Sequence, residues 1–300
     1  MESKTNKIID VHTHLAYHKI FPKRFLYETT KGLMASLGFD ESLREMFFQK
    51  FLSDAEGDLH VQKMDDAGIQ SSIMLIADFG YELGEAAMSI EEMHEHHKFV
   101  MEKHEGRFMV FSGVDPRRGE KGVKLFKKAI ENYGFHGMKL YPPCGYELND
   151  ELLTPFYEIC DYHELPIQPH TGPSLEILRT ERNYPESLHD VLSKYKKLKF
   201  ILGHAGAVNV DVNIELAKRY DNVFLDISTF NSVEGDYFKS RLRKMFDVIP
   251  NKVMFGSDFP IFSLVTSQSS LIDHIRNLQI LNANELEALY YNNFINYIKN

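Results

Sequence analysis

Residues 8–14 read IIDVHTH, two imidazoles one residue apart at the end of an apolar run. β-Branched residues favour a strand, and in a strand positions i and i+2 face the same side. His12 and His14 then project together with their Cα atoms roughly 7 Å apart, a spacing that suits two nitrogens gripping one ion. A pair of partly buried histidines satisfied by neighbours fits the stretch equally well, since two ligands do not make a metal site. The choice rests on whether further ligands fall at equivalent places along the chain.

Seven more short β-rich runs follow. They are SSIMLIA from Ser71, RFMVFSGVDP from Arg107, FHGMKLYP from Phe135, LPIQPHTG from Leu165, LKFILGHAG from Leu198, NVFLDIST from Asn222 and KVMFGSDFP from Lys252. Most of these strand cores are apolar on both faces, as expected of parallel strands covered outside by helices and packed within. Charged, helix-like stretches separate them at Ser89–Gly106, Gly119–Asn132, Asp150–His163, Ser187–Lys197, Val210–Tyr220 and Glu234–Phe246, and Glu285–Ile298 follows the eighth run. Ser89 with Glu92 three residues on forms a capping box. His94, His96, His97 and His104 in that stretch read as the polar face of an outer helix. The βα alternation predicts an α/β fold, a (β/α)8 barrel forming one domain over residues 1–300.

One connection departs from the pattern. From Leu15 to about Ser53 the chain spends nearly forty residues, rich in Phe and Tyr, before the helix leading into the second strand. Long insertions after a barrel strand sit over the C-terminal face, where they serve as lids or substrate walls. A helical hairpin that merely packs, or a dimer surface, is the other reading.

The chain has 300 residues, 43% of them hydrophobic, enough for one large core. Lys and Arg number 34 against 43 Asp and Glu, a net charge of −9, so no basic field points to nucleic acid or an anionic membrane. The opening MESKTNKIIDVH has no signal-peptide pattern, and no run of about 18 apolar residues occurs, which leads us to expect a soluble cytoplasmic protein. Two cysteines, Cys144 and Cys160, provide neither a disulfide framework nor a Cys-x-x-Cys pair. Cys144 is expected in an exposed turn at the barrel mouth, without a partner that would activate it. Any metal must be held by His and carboxylate.

In a (β/α)8 barrel, polar residues at the C-terminal ends of strands converge on one cavity. Those ends carry His12 and His14 (first strand), Lys139 (fourth), His170 (fifth), His204 (sixth) and Asp258 (eighth). Four histidines and an acid at the same end of four strands point to one metal centre. Tyr141, just past the fourth strand, is expected to line the same mouth and contact substrate.

The ordered set DVHTH, KLYPP, QPHTG, LGHAG and FGSDFP resembles the amidohydrolase superfamily, and within it the amidohydrolase-2 group that includes aminocarboxymuconate-semialdehyde decarboxylase. The resemblance spans nearly the whole chain and says little about substrate. It implies that His12, His14 and His170 bind a divalent metal, usually one Zn2+ with Mn2+ as the alternative, and that Asp258 completes the shell. It also implies that His204 acts beside the metal-bound water as base or polarising group, a ligand itself in some members. Zinc held by neutral imidazoles with one open position lowers the pKa of bound water toward about 7, and an adjacent carboxylate or imidazole can shuttle the proton.

Lys139 has three readings: an ammonium pairing with a substrate carboxylate, a lysine whose stem packs, or, as in some branches of the superfamily, a carbamate bridging a second metal. Arg24 and Arg44 from the insertion are further candidates for holding a carboxylate. The leading expectation is a metal-dependent hydrolase of a small amide, ester or lactone. The alternative is a non-oxidative decarboxylase or hydratase of a small carboxylated or aromatic compound on the same site, and a metal-binding scaffold without catalysis is a third. A homodimer is expected by analogy with that group.

Overall fold

The computed structural model describes residues 7–36, 38, 40–183, 185–205, 207–229, 235–263 and 266–299. Its eight strands are β1 (Ile8–Thr13), β2 (Ile69–Leu75), β3 (Phe108–Gly113), β4 (Gly137–Leu140), β5 (Pro166–Pro169), β6 (Lys199–Leu202), β7 (Val223–Asp226) and β8 (Val253–Met254). They lie in chain order in one sheet, each parallel to the next. The sheet closes between β8 and β1 through backbone bonds: Val11 N–H to Phe255 O (2.9 Å), Asp258 N–H to His12 O (2.8 Å) and His14 N–H to Phe259 O (2.6 Å). The fold is a (β/α)8 barrel.

Between β1 and β2 lie α1 (Lys23–Ser36), α2 (Glu41–Phe51) and α3 (Asp58–Ala67), and before β3 come α4 (Gly80–Leu83) and α5 (Ile90–Lys103). The next connections carry α6 (Gly119–Glu131), α7 (Thr154–Tyr162), α8 (Leu188–Lys194), α9 (Val210–Arg219) and α10 (Asp236–Val248) in turn. After β8 come α11 (Gln268–Asn277), which the sequence reading had no helix for, then α12 (Ala283–Glu287) and α13 (Asn293–Lys299), joined by a π-helical turn at Ala288–Asn292. Glu234, the expected first residue of α10, and residues 1–6 lie outside the described residues. No helix among the described residues is long and apolar enough to cross a membrane.

The capping box at Ser89 and Glu92 is present, with Ser89 N–H donating to Glu92 Oε2 at 2.7 Å. The histidines behind it correct the sequence reading, because His94 and His97 are fully buried rather than on a polar face. Ile90, Met93, His94, His97 and Val100 form one stripe at helical spacing and turn inward together. His94 Nε2 meets Ser112 Oγ at 2.8 Å, and the Nδ1 atoms of His94 and His97 donate to the carbonyls of Ile90 and Met93.

Two layers fill the barrel. The lower is apolar, made of Ile9, Val11, Ile73, Leu75, Phe111, Ile201 and Met254, with Phe294 and Tyr297 of α13 packed against them. Above it lie buried polar side chains, Lys139 and Gln168 on adjacent strands in direct register, with His12 and Asp226. An irregularity in β1 makes this possible. Between Asp10 and Thr13 the chain advances three residues while β2 advances two, from Ser72 to Met74. Such a bulge re-aims a side chain. Asp10 accordingly bonds outward to Ser257 N–H (2.9 Å) and Gln268 Nε2 (2.9 Å), whereas His12 meets Lys139, Gln168 and Asp226 inside.

Candidate active site

A cavity of about 440 Å3 opens at the C-terminal ends of the strands. All seven residues singled out from the sequence line it: His12, His14, Lys139, Tyr141, His170, His204 and Asp258. The upper wall is apolar and aromatic, including Phe25, Phe79, Leu175, Ile261 and Phe262. Phe25 and Glu28 come from α1, so part of the insertion between β1 and β2 faces the cavity. Arg24 and Arg44 are not among the lining residues. Cys144 is fully buried rather than exposed, and burial pushes its thiol above the ordinary range.

Hydrogen bonds orient each imidazole. His12 Nδ1 pairs with Asp226 Oδ2 at 2.8 Å and His14 Nδ1 with the Leu75 carbonyl at 2.9 Å, so both rings turn Nε2 toward Asp258. Asp258 Oδ1 stands 3.7 Å from His12 Nε2 and 3.4 Å from His14 Nε2. His170 is turned the other way: its Nε2 donates to the Pro173 carbonyl at 2.9 Å, which assigns the lone pair to Nδ1. The Tyr141 ring stacks on His170 at 4.2 Å. His204 Nδ1 pairs with Ser228 Oγ at 2.8 Å, and its ring lies 4.3 Å from that of His12.

The backbone at these strand ends is strained. His204, Thr229 and Asp258 have φ of 60°, 66° and 57°, a region that side-chain-bearing residues seldom adopt. Such conformations cost on the order of 1 kcal/mol each and collect at functional sites. At His204 the strained backbone is held by its N–H donating to Asp226 Oδ1 at 3.1 Å. Gly172 makes room for the ring, since a Cβ there would stand 2.2 Å from His204 Cβ.

Burial sets the charge states. It lowers His12 and His204 well below the usual imidazole range and His170 to about 3, with neighbouring cationic groups adding to the effect. Asp258 is raised, again by burial first. The Lys139 ammonium, 2% exposed and 3.5 Å from His12 Nε2, is pushed down to about 8 by desolvation.

This donor set fits a divalent cation. Metal ligation requires neutral imidazole and carboxylate, and each imidazole has one nitrogen fixed by a hydrogen bond, the usual way a protein orients a metal-binding histidine. Ligand atoms of His12, His204 and Asp258 all lie within 4.8 Å of one another.

Three residues of the constellation escaped the sequence reading. Asp226 accepts from His12, from Gln168 Nε2 (2.8 Å) and from the N–H groups of His204 and Ser228, and Ser228 also donates its hydroxyl to Asp226 Oδ1. A signal was there: Asp226 ends the seventh strand as Asp258 follows the eighth, and Gln168 precedes His170 by two. Ser228 carried none, because a serine after a strand is ordinary turn chemistry.

No curated protein sequence compared with the chain matches it. Solved structures share its fold. A 5-carboxyvanillate decarboxylase from Novosphingobium aromaticivorans, determined with bound manganese, is 16% identical with a TM-score of 0.70, covering 100% of this chain and 99% of that one. An uncharacterised barrel protein from Bordetella bronchiseptica is 17% identical with a TM-score of 0.70, covering 98% of each chain. The 4-oxalomesaconate hydratase of Rhodopseudomonas palustris is 16% identical with a TM-score of 0.62, covering 97% of this chain and 95% of that one. The amidohydrolase family model matches residues 9–293, and the chain belongs to that family.

Proposed function

We propose that this chain is a metal-dependent lyase that releases CO2 from a small carboxylic acid with an apolar or aromatic body. The observation that carries this reading is the placement of Lys139. Among the described lining residues it is the one lysine or arginine, and it lies at the cavity floor beneath aromatic walls. A compact ammonium in so dry a place matches a single anionic group on an otherwise apolar ligand. The fold shared with decarboxylases that act on aromatic acids lends further support.

A divalent cation, zinc or manganese, held by His12, His204 and Asp258 would supply a Lewis acid that withdraws charge from the substrate. Lys139 Nζ holds the carboxylate, and Phe25, Phe79, Tyr141 and Phe262 fix the plane of the body. Breaking the C–C bond leaves its electron pair on the substrate carbon, which takes up one proton while CO2 departs. That proton comes from water admitted to the open cavity, while Asp258 remains the carboxylate that metal binding requires.

Hydrolysis of a small amide, ester or lactone is the second reading. It is favoured by His204, a neutral imidazole beside His12 and Asp258 that suits a base taking a proton from water. The test is a substrate panel on metal-loaded protein, hydroxy- and methoxybenzoates alongside lactones and anilides, with CO2 and acid release measured separately. CO2 release whose KM rises in Lys139→Met supports the lyase. Acid release without CO2 transfers the assignment to hydrolysis, and one metal per chain against two decides whether Lys139 acts as an ammonium or as a bridging carbamate.

A further inference from the structure

Ser228 is fully buried between two imidazoles and a carboxylate, and its hydroxyl has one proton to give. Its Oγ lies 2.8 Å from His204 Nδ1 and 3.0 Å from His12 Nδ1, and it also contacts Asp226 Oδ1. Counting donors and acceptors assigns every proton in this group. Asp226 receives the amide of Gln168 and the backbone N–H groups of His204 and Ser228, so it serves as the acceptor of the network. The Ser228 proton therefore goes to Asp226, and the Ser228 lone pairs are left to accept. An acceptor at 2.8 Å requires a proton on His204 Nδ1. Asp226 Oδ2 at 2.8 Å requires one on His12 Nδ1.

From this geometry we infer that Ser228 is a positioning residue that holds His204 as the Nδ1–H tautomer, aiming the Nε2 lone pair into the cavity, and links that ring to Asp226 through its hydroxyl. With the proton on Nδ1, Nε2 is the nitrogen left to meet whatever occupies the cavity. The Ser228 hydroxyl bridge supplies orientation alone. A direct histidine–carboxylate pair does the same at His12, so one buried carboxylate serves both rings. The inference deepens the proposed function, since it rests on His204 belonging to the candidate metal site, but its readout does not depend on turnover.

The experiment is nitrogen NMR on the full chain labelled with 15N-histidine, freed of metal by chelation and then loaded with zinc, with His204 assigned from the spectrum of His204→Asn. The expected wild-type result is Nδ1 of His204 and of His12 in the protonated range and Nε2 of both in the unprotonated range. In Ser228→Ala the His204 Nδ1 signal should move toward the unprotonated range while His12, still held by Asp226, stays put and serves as an internal control. Ser228→Thr, which keeps the hydroxyl, should restore the wild-type pattern. An Nε2–H tautomer at His204 in the wild type overturns the proposal, and that measurement stands even if Ser228→Ala does not fold. So does a folded Ser228→Ala whose His204 signals are unchanged. A chain with the expected tautomers that binds neither zinc nor manganese would leave this assignment standing and sink the metal-dependent function instead.

Discussion

Asp258 Oδ1 lies 3.4 Å from His14 Nε2, a contact made across the seam where the last strand of the barrel meets the first. The carboxylate and the imidazoles opposite it come from distant parts of the chain, and the site exists only when the sheet is closed. The backbone at that seam is bonded independently of the side chains, so the site can be disabled without opening the barrel.

Asp258→Asn is therefore expected to weaken metal binding by more than the roughly 10- to 100-fold that loss of an orienting partner costs, and to abolish turnover. Asparagine tolerates the left-handed backbone at this position, which keeps the melting temperature close to wild type. Metal content after dialysis, read beside a thermal melt, is the check. Full metal occupancy in the variant would remove Asp258 from the ligand set.

Replacing Lys139 by methionine keeps the packing volume and removes the cation. Hydrogen bonds to charged groups contribute about 1.5–3 kcal/mol, so KM for a carboxylated substrate should rise roughly 10- to 100-fold. The same variant should leave a neutral ester or lactone unaffected. Equal losses on both substrate types would make Lys139 part of the metal-site architecture rather than an anion holder.

How far the sequence foretold this site depends on the kind of residue. The barrel was legible because eight apolar runs alternate with polar helices, and the cavity lining because the C-terminal strand ends of such a barrel converge on one mouth. Asp226 obeyed the same rule and was passed over. Gln168 had a weaker signal, two residues before His170 on the same strand, and Ser228 had none, since its role comes from partners on other strands. The inward turn of His12 owes as much to the bulge in β1 as to alternation, and bulges leave little trace in composition. His94 and His97 were misplaced for a different reason. Histidine counts as polar in a pattern, yet a neutral imidazole that donates to a backbone carbonyl packs in a core.

Buried histidines also make a prediction about acid stability. His60 is fully buried against Phe108 and Phe259, and burial lowers it from an ordinary value of 6.5 to about 3. The folded chain keeps this ring neutral while the unfolded chain protonates it. Its contribution is thus fully present above about pH 6.5 and is lost as the pH falls toward 3. The slope is about 1 kcal/mol per pH unit between pH 6 and 4. His60→Leu should flatten the pH dependence of urea unfolding by that amount over the interval. An unchanged slope would mean that His60 is not the group responsible.

A line of rings ties the insertion to the candidate metal site. Phe25 of α1 stacks on Phe79 at 4.5 Å, Phe79 meets the edge of Tyr141 at 4.9 Å, and Tyr141 stacks on His170 at 4.2 Å. Cutting Phe25 back to alanine removes the first ring, which is 8% exposed, and should cost about 3 kcal/mol of stability, the low end for a buried phenylalanine. If the insertion acts as a wall of the substrate cavity, KM should also rise, by about 10-fold, with kcat changing far less, because the lost contact is one the substrate makes equally before and during the reaction. Phe25→Leu separates the two effects, restoring most of the packing while offering a poorer surface to an aromatic ring. A variant that is destabilised but binds substrate normally would reduce the insertion to a packing element. A rise in KM that persists in Phe25→Leu, at near-normal stability, would establish it as part of the recognition surface.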